Sequence, residues 1–395
     1  MTIYEKPSSE VKVSNPASEG KTGKKASTKP RPLICAYYFP NWHQDPRNDI
    51  WHGTGWTEWN VVKHATPRFP GHRQPKVPLW GYEDESDSKV MEKKIKEASS
   101  HGIDGFIFDW YWYDDGPFRI KCINEGFLKA ANTNDMKFAI MWCIEDFFQV
   151  HPVSRMNRKH LLKSGLMSPQ IFLDVTDYCI NNYFNQPNYL RIDGGLYFSI
   201  YAVEYLVKGL GGDKATGELM RGFRKRAFDA GLGEININVI APGGKEQDKV
   251  NSFLKTVGID SCTSYVWNMH VGGFPQTDYE IVADAAIKDF KHKTEIFDIP
   301  YHPVVCMGWD PSPRTVQSEI YENVGYPYTP VIVNNTPANF GKALESASNF
   351  IRSDISTGSM VNISCWNEWT EGNYLEPDTE YGYGYLDEVK RVFGK

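Results

Sequence analysis

With 395 residues, 43 basic and 49 acidic side chains and a net charge of −6, the chain lacks the basic face that a phosphate backbone demands, and no apolar run is long enough for a membrane helix. Aromatic residues make up 14%, with 12 Trp, 22 Tyr and 21 Phe, a surplus that carbohydrate binders use as stacking platforms. Seven cysteines, an odd number without a C-x-x-C, read as buried free thiols.

Residues 1–31 are rich in Ser, Lys, Pro and Gly and read as a disordered tail or linker ahead of one catalytic domain over 32–395. No basic-then-apolar leader is present, so the expected location is cytoplasmic if residue 1 is the native start, and periplasmic or secreted if a signal was removed earlier. From Leu33 onward, short runs rich in β-branched and aromatic residues alternate with segments of helical period. The runs fall at 33–39, 103–112, 137–144, 195–203, 237–242, 261–267, 303–309 and 360–366. Their continuous apolarity suits strands covered on both faces. Helices are predicted over 88–100, 120–132, 169–184, 217–230, 278–290 and 339–351. The last is the cleanest: Thr336 caps it, Pro337 suits its first turn, and Phe340, Leu344, Ala347 and Ile351 share one face. Eight strands interleaved with helices is the pattern of a (β/α)8 TIM barrel in the α/β class. No G-x-G-x-x-G follows the first strand to suggest a dinucleotide-binding sheet.

A barrel gathers its chemistry at the C-terminal ends of its strands, so the residues closing each run form a site map. It reads Tyr37 and Tyr38; Asp109, Trp110 and Tyr111; Trp142 and Glu145; Trp267 and His270; Trp309, Asp310 and Arg314; then Asn367, Glu368, Glu371 and Tyr374. The long first β-α connection, from about residue 40 to 87, adds Trp56 and Glu58 and is expected to wall one side of a sugar cleft. Glu368 and Glu371 stand three residues apart among aromatics. Cleaving an acetal between sugars needs one carboxyl to protonate the leaving oxygen and another acting on the opposite side of the bond, which makes this pair the catalytic candidates. The others are candidate substrate-binding residues, although Tyr37, Trp56, Glu58, Trp110 and Trp309 fit a structural role equally well. The ten histidines form no H-E-x-x-H, so neither a metal nor any other cofactor is expected, and the partner is an oligo- or polysaccharide. Oligomeric state stays open.

Several motifs in order give the chain a family likeness. They are Tyr37-Tyr38, Gly55-Trp56-Thr57-Glu58-Trp59, Gly71-His72-Arg73-Gln74-Pro75, Pro187 to Gly194, Gly308-Trp309-Asp310 with Pro313-Arg314, and Trp366 to Gly372. From Leu33 to the C-terminus the chain resembles the family 99-like glycoside hydrolases, including the WbsX-like group from polysaccharide-biosynthesis loci. Family 99 holds retaining endo-acting α-mannosidases on a (β/α)8 barrel, with paired glutamates in a Glu-Trp-His-Glu-Gly stretch. Here that stretch is Glu368-Trp369-Thr370-Glu371-Gly372, so both acids match and Thr370 replaces the histidine. The resemblance implies Glu371 as general acid/base and Glu368 as the base that deprotonates the sugar's own 2-hydroxyl. It leaves two rivals to hydrolysis: a WbsX-like glycosyltransferase, for which no D-x-D is present, and a lectin-like barrel that binds without cutting.

Overall fold

The computed structural model describes residues 29–242 and 246–394. The tail expected over 1–31 lies almost wholly outside the described residues. Among the described residues eight parallel strands form the main sheet: β1 Leu33–Tyr38, β2 Gly105–Tyr113, β3 Lys137–Cys143, β4 Gly195–Ile200, β5 Ile235–Ile240, β6 Ser261–Thr263, β7 in two pieces Tyr301–His302 and Val304–Cys306, and β8 Met360–Ser364. Pro303 divides β7, because it has no N–H to give to a ladder. The two pieces part company: Tyr301 and His302 pair with Cys262 and Thr263 of β6, while Val304, Val305 and Cys306 pair with Asn362, Ile363 and Ser364 of β8. Since β8 also pairs with β1, from Leu33 opposite Met360 to Ala36 opposite Ile363, the pairings run in a ring and the sheet is a barrel.

Polar side chains span the interior. Asn362 of β8 donates to Thr263 of β6 at 2.9 Å and to the Tyr37 hydroxyl of β1 at 3.3 Å, and Ser199 donates to Asn238 at 2.9 Å. All of these side chains are buried, so each must find its partner inside the fold. All seven cysteines are buried and unpaired.

The outer layer contains α1 Ser88–Ser100, α2 Pro169–Asn182, α3 Asp213–Asp229, α4 Gln247–Val257, α5 Tyr279–Ile296, α6 Pro337–Ile351 and α7 Gly384–Phe393. Thr336 caps α6 through the Asn339 N–H at 3.3 Å, with Pro337 opening the first turn, as the sequence predicts. The helix expected over 120–132 is instead a widened π-turn, Cys122–Phe127, followed by turns. Its backbone is pressed against the Glu85 carbonyl, where a Cβ on Gly126 would lie 2.0 Å from the oxygen. Among the described residues no helix is long and apolar enough to cross a membrane.

Candidate active site

The two glutamates are set by the loop leaving β8. Asn367–Glu368 pairs antiparallel with Asn373–Tyr374, and the single turn Trp369–Glu371 joins them. Gly372 closes that turn at φ 59° and ψ 31°, where a Cβ would come within 2.6 Å of the Asp310 Cβ, so only glycine fits. The Trp369 ring stacks on Tyr374 with centroids 3.7 Å apart, and its indole N–H donates to Glu376 at 2.8 Å. Asn367 ties the loop to β1: its amide accepts from the Phe39 N–H at 2.8 Å and donates to the Phe39 carbonyl at 2.9 Å.

Arg314, from the turn after β7, then joins three acids. One terminal nitrogen donates to Glu371 at 2.6 Å; the other donates to Glu368 at 2.7 Å and to Glu58 at 3.1 Å; Nε donates to Thr370 at 2.9 Å. The Tyr326 hydroxyl adds a bond to Glu371 at 2.7 Å. Glu58 also pairs with His151 at 3.1 Å and accepts from Asn41. All four charged side chains are buried.

Burial sets the electrostatics, and neighbouring charges modify it. Burial of Glu368 outweighs the attraction of Arg314 and, with the nearby Glu371 and Glu58, holds its carboxyl well above the usual range. Glu58 goes the other way: burial opposes its charge, but His151 and Arg314 hold it well below the ordinary value. Two carboxyls that share one Arg314 nitrogen are thereby driven in opposite directions.

Both glutamates open onto a cavity of 380 Å³ at the C-terminal mouth of the barrel. Asp109, Tyr111, Glu145, Trp309 and Arg314 also line it. Asp109 is buried, accepts from the Tyr265 hydroxyl at 2.7 Å, and keeps its second oxygen unpartnered; burial pushes it up to about 8. Glu145 is open to the water of the cavity, yet surrounding protein and then the charges of Glu371 and Asp146 push it up to about 7, an effect that water moderates.

Other sequence-predicted residues stand behind this lining. Tyr37 belongs to the interior network. Tyr38 donates to Glu85 at 2.8 Å, and the Asn367 amide donates to the same carboxylate. Asp310 accepts from His72 and Gln74 and is held below the usual range, burial notwithstanding, by the His72 hydrogen bond. Trp56 stacks on His52, Trp110 faces Tyr178 and Tyr183 of the α2 region, and Trp142 packs on Phe172. Trp267 donates to the Val304 carbonyl, Tyr374 lies under Trp369, and His270 is exposed on a loop away from the cavity lining. The long first connection supplies no lining residue between 40 and 87; it folds inward and buttresses Arg314 through Glu58 and Asp310 through His72 and Gln74. The lining instead draws on the connection after β3, through Phe147, Phe148 and His151, and on Arg119, Tyr265 and Tyr326. Sequence reading missed these last residues; Tyr265 alone carried a signal, two residues past the end of a strand. Among the described residues no group of three or more His, Cys, Asp or Glu is placed to hold a metal ion.

Residues 34–389 match the family model described as Glycosyltransferase WbsX. Two curated relatives, both described as uncharacterized protein WxcX, come from two strains of Xanthomonas campestris pv. campestris and are each 25% identical, over 372 and 378 residues. Each alignment takes in 91% of this chain and 49% of the relative, so the chain spans about half the length of these relatives. Among solved structures, the GH99 endo-alpha-mannosidase from Bacteroides thetaiotaomicron superposes with a TM-score of 0.59 at 15% identity, over 91% of this chain and 96% of that one. A glycoside hydrolase-like protein gives a TM-score of 0.61 at 16% identity, over 95% and 98%. At these identities the likeness is one of fold.

Proposed function

We propose, from the premise that this chain belongs to the Glycosyltransferase WbsX family, that it is a retaining glycoside hydrolase. One observation carries the reading: Glu368 and Glu371 bond to different nitrogens of one buried guanidinium and both face the cavity at the barrel mouth. In this reading Glu368 takes the proton of the substrate's 2-hydroxyl, whose oxygen bonds to the anomeric carbon as the glycosidic bond breaks. The leaving oxygen takes its proton from Glu371. Water, deprotonated by Glu371, then reopens the anhydro ring, and the 2-oxygen recovers its proton from Glu368. Two inversions give net retention. A base must be ionised to take that proton, and the Arg314 guanidinium at 2.7 Å is what favours the carboxylate form of Glu368 against its burial. The likeness to an endo-alpha-mannosidase makes α-mannosidic linkages the first to test, although Thr370 stands where that family carries histidine.

Glu368→Gln and Glu371→Gln should each abolish release of sugar from a glycan panel while leaving binding measurable; near-normal rates in either variant reject the assignment. The family's description favours a second reading, transfer from a nucleotide sugar. Running the panel with and without nucleotide sugars separates the two, since product that forms only with the donor overturns hydrolysis.

A further inference from the structure

Arg119 lines the same cavity and has no part in the chemistry above. It follows the hairpin strand Gly116–Phe118, at φ 60°, and its backbone N–H donates to the Asp45 carboxylate at 3.2 Å. The side chain is 2% exposed. Its guanidinium carbon sits 4.6 to 5.1 Å from the ring centres of Phe118, Tyr111, Phe39 and Phe147, and its Nε and Nη2 are buried with no hydrogen-bond partner. Among the described residues no carboxylate pairs with this side chain.

Ring faces attract a cation by about 0.5–2 kcal/mol, but they offer no acceptor along the N–H directions. Taking a guanidinium out of water without an acceptor costs several kcal/mol. The acids of the cavity do not supply one. Glu368 and Glu371 are engaged by Arg314, Asp146 accepts from the Gly165 N–H at 2.9 Å, and Asp109 and Glu145 are pushed up toward the neutral form. A planar fork of donors in an apolar cage fits one kind of complement, the paired oxygens of a carboxylate, sulfate or phosphate. Arg158, a second lining cation, forms no ion pair among the described residues and would reinforce that selection.

We propose that the cavity takes an acidic saccharide, whose carboxylate, sulfate or phosphate group seats on Arg119 while the neighbouring glycosidic bond lies at Glu368 and Glu371. This deepens the hydrolase reading and rests on it for the position of the bond.

The test is calorimetric titration of the whole chain with four uncleavable S-linked dimannosides: neutral, uronate, 6-sulfate and 6-phosphate, with inorganic sulfate and GDP-mannose as further arms. At least one acidic disaccharide should bind tenfold or more tightly than the neutral one. Arg119→Met should erase that advantage, leave neutral binding intact, and leave the melting temperature unchanged or raised, because an uncompensated buried charge has gone. The advantage in the unsubstituted protein should also shrink as salt rises from about 20 to about 300 mM, which tests the charge without any variant. Equal binding of neutral and acidic disaccharides, an acidic preference that survives Arg119→Met, or a variant that melts several degrees lower would each overturn the proposal. So would binding confined to free sulfate, or to GDP-mannose, whose diphosphate would then be the anion recognised. Equal binding removes this inference alone; the hydrolase reading is judged separately, by turnover in the glutamate variants.

Discussion

Arg314→Met isolates what one guanidinium does for three acids. Arg314, Glu58, Glu368 and Glu371 are all buried, and the arginine contacts each carboxylate at 2.6 to 3.1 Å. Removing one member of a buried ion cluster costs about 3–5 kcal/mol, because the remaining charges keep their desolvation and lose their attraction. Over the compact unit 31–395, about 365 residues at roughly 2.1 cal/mol/K each, unfolding entropy near the midpoint is about 0.8 kcal/mol/K, so the melting temperature should fall by about 4–6 °C. A second substitution tests the cause. Glu58 is held well below the ordinary carboxylate value, in part by Arg314, so Arg314→Met/Glu58→Gln should recover part of the loss, by removing the orphaned charge. Melting is followed by circular dichroism at pH 7. A single variant melting within 1 °C of the unsubstituted protein, or a double variant with no recovery, would refute the claim that charge compensation holds this site together.

Gly372→Ala should destabilise by about 1–2 kcal/mol for the left-handed backbone alone, and more for the contact with Asp310, with a lower melting temperature as the readout. Burial lowers His302 to about 4, against about 6.5 in an unfolded chain, so its contribution of about 3 kcal/mol is present above pH 6.5 and lost as pH falls through 4. His302→Gln keeps an acceptor for the Ser359 N–H and should lose less melting temperature between pH 7 and pH 4 than the unsubstituted protein; equal losses reject this. Asp109, raised to about 8, stabilises fully below the unfolded value and loses that contribution as pH rises through 8. Asp109→Asn should therefore gain stability relative to the unsubstituted protein as pH goes from 4 to 8, and a constant difference across that range rejects it.

The strands were legible because a barrel strand is covered on both sides and shows as an unbroken apolar run, and all eight runs overlap an observed strand. The glutamate pair was legible because a short loop placed it. What the runs concealed was direction. Along β2, side chains alternate between faces, so Asp109 and Tyr111 reach the cavity while Trp110 between them turns to Tyr178 and Tyr183; Trp142 and Cys143 on β3 divide the same way. Two helices went unread although their signals were present: Val250, Phe253, Leu254 and Val257 of α4, and Tyr385, Leu386, Val389 and Phe393 of α7, each form a buried stripe at helical spacing. Arg119 was illegible for another reason. Two residues past Pro117, where a hairpin turns, it reads as a surface cation, and it is the rings of Phe39 and Phe147, distant in sequence, that complete its burial.

The loop leaving β8 is held between two ion clusters, and its residues are divided between them. Asn367 reaches Glu85 and Trp369 reaches Glu376, both paired with the buried Lys94 at 2.6 Å. Glu368, Thr370 and Glu371 reach Arg314 on the other side. A carboxylate that positions a loop must be fully engaged, whereas one that transfers a proton needs a face left open to substrate. The division meets both needs: Glu85 and Glu376 anchor the turn away from the cavity, while Glu368 and Glu371 are steadied from one side by Arg314 and line the cavity on the other. The first β-α connection completes the arrangement by placing Glu58 against Arg314, and His151 of the connection after β3 pairs with Glu58 from the cavity side. Stretches far apart in sequence thus meet here: Glu58 on Arg314, His72 and Gln74 on Asp310, and the Asp310 N–H on the Glu371 carbonyl join the first connection and the turn after β7 to the loop from Trp366 to Gly372.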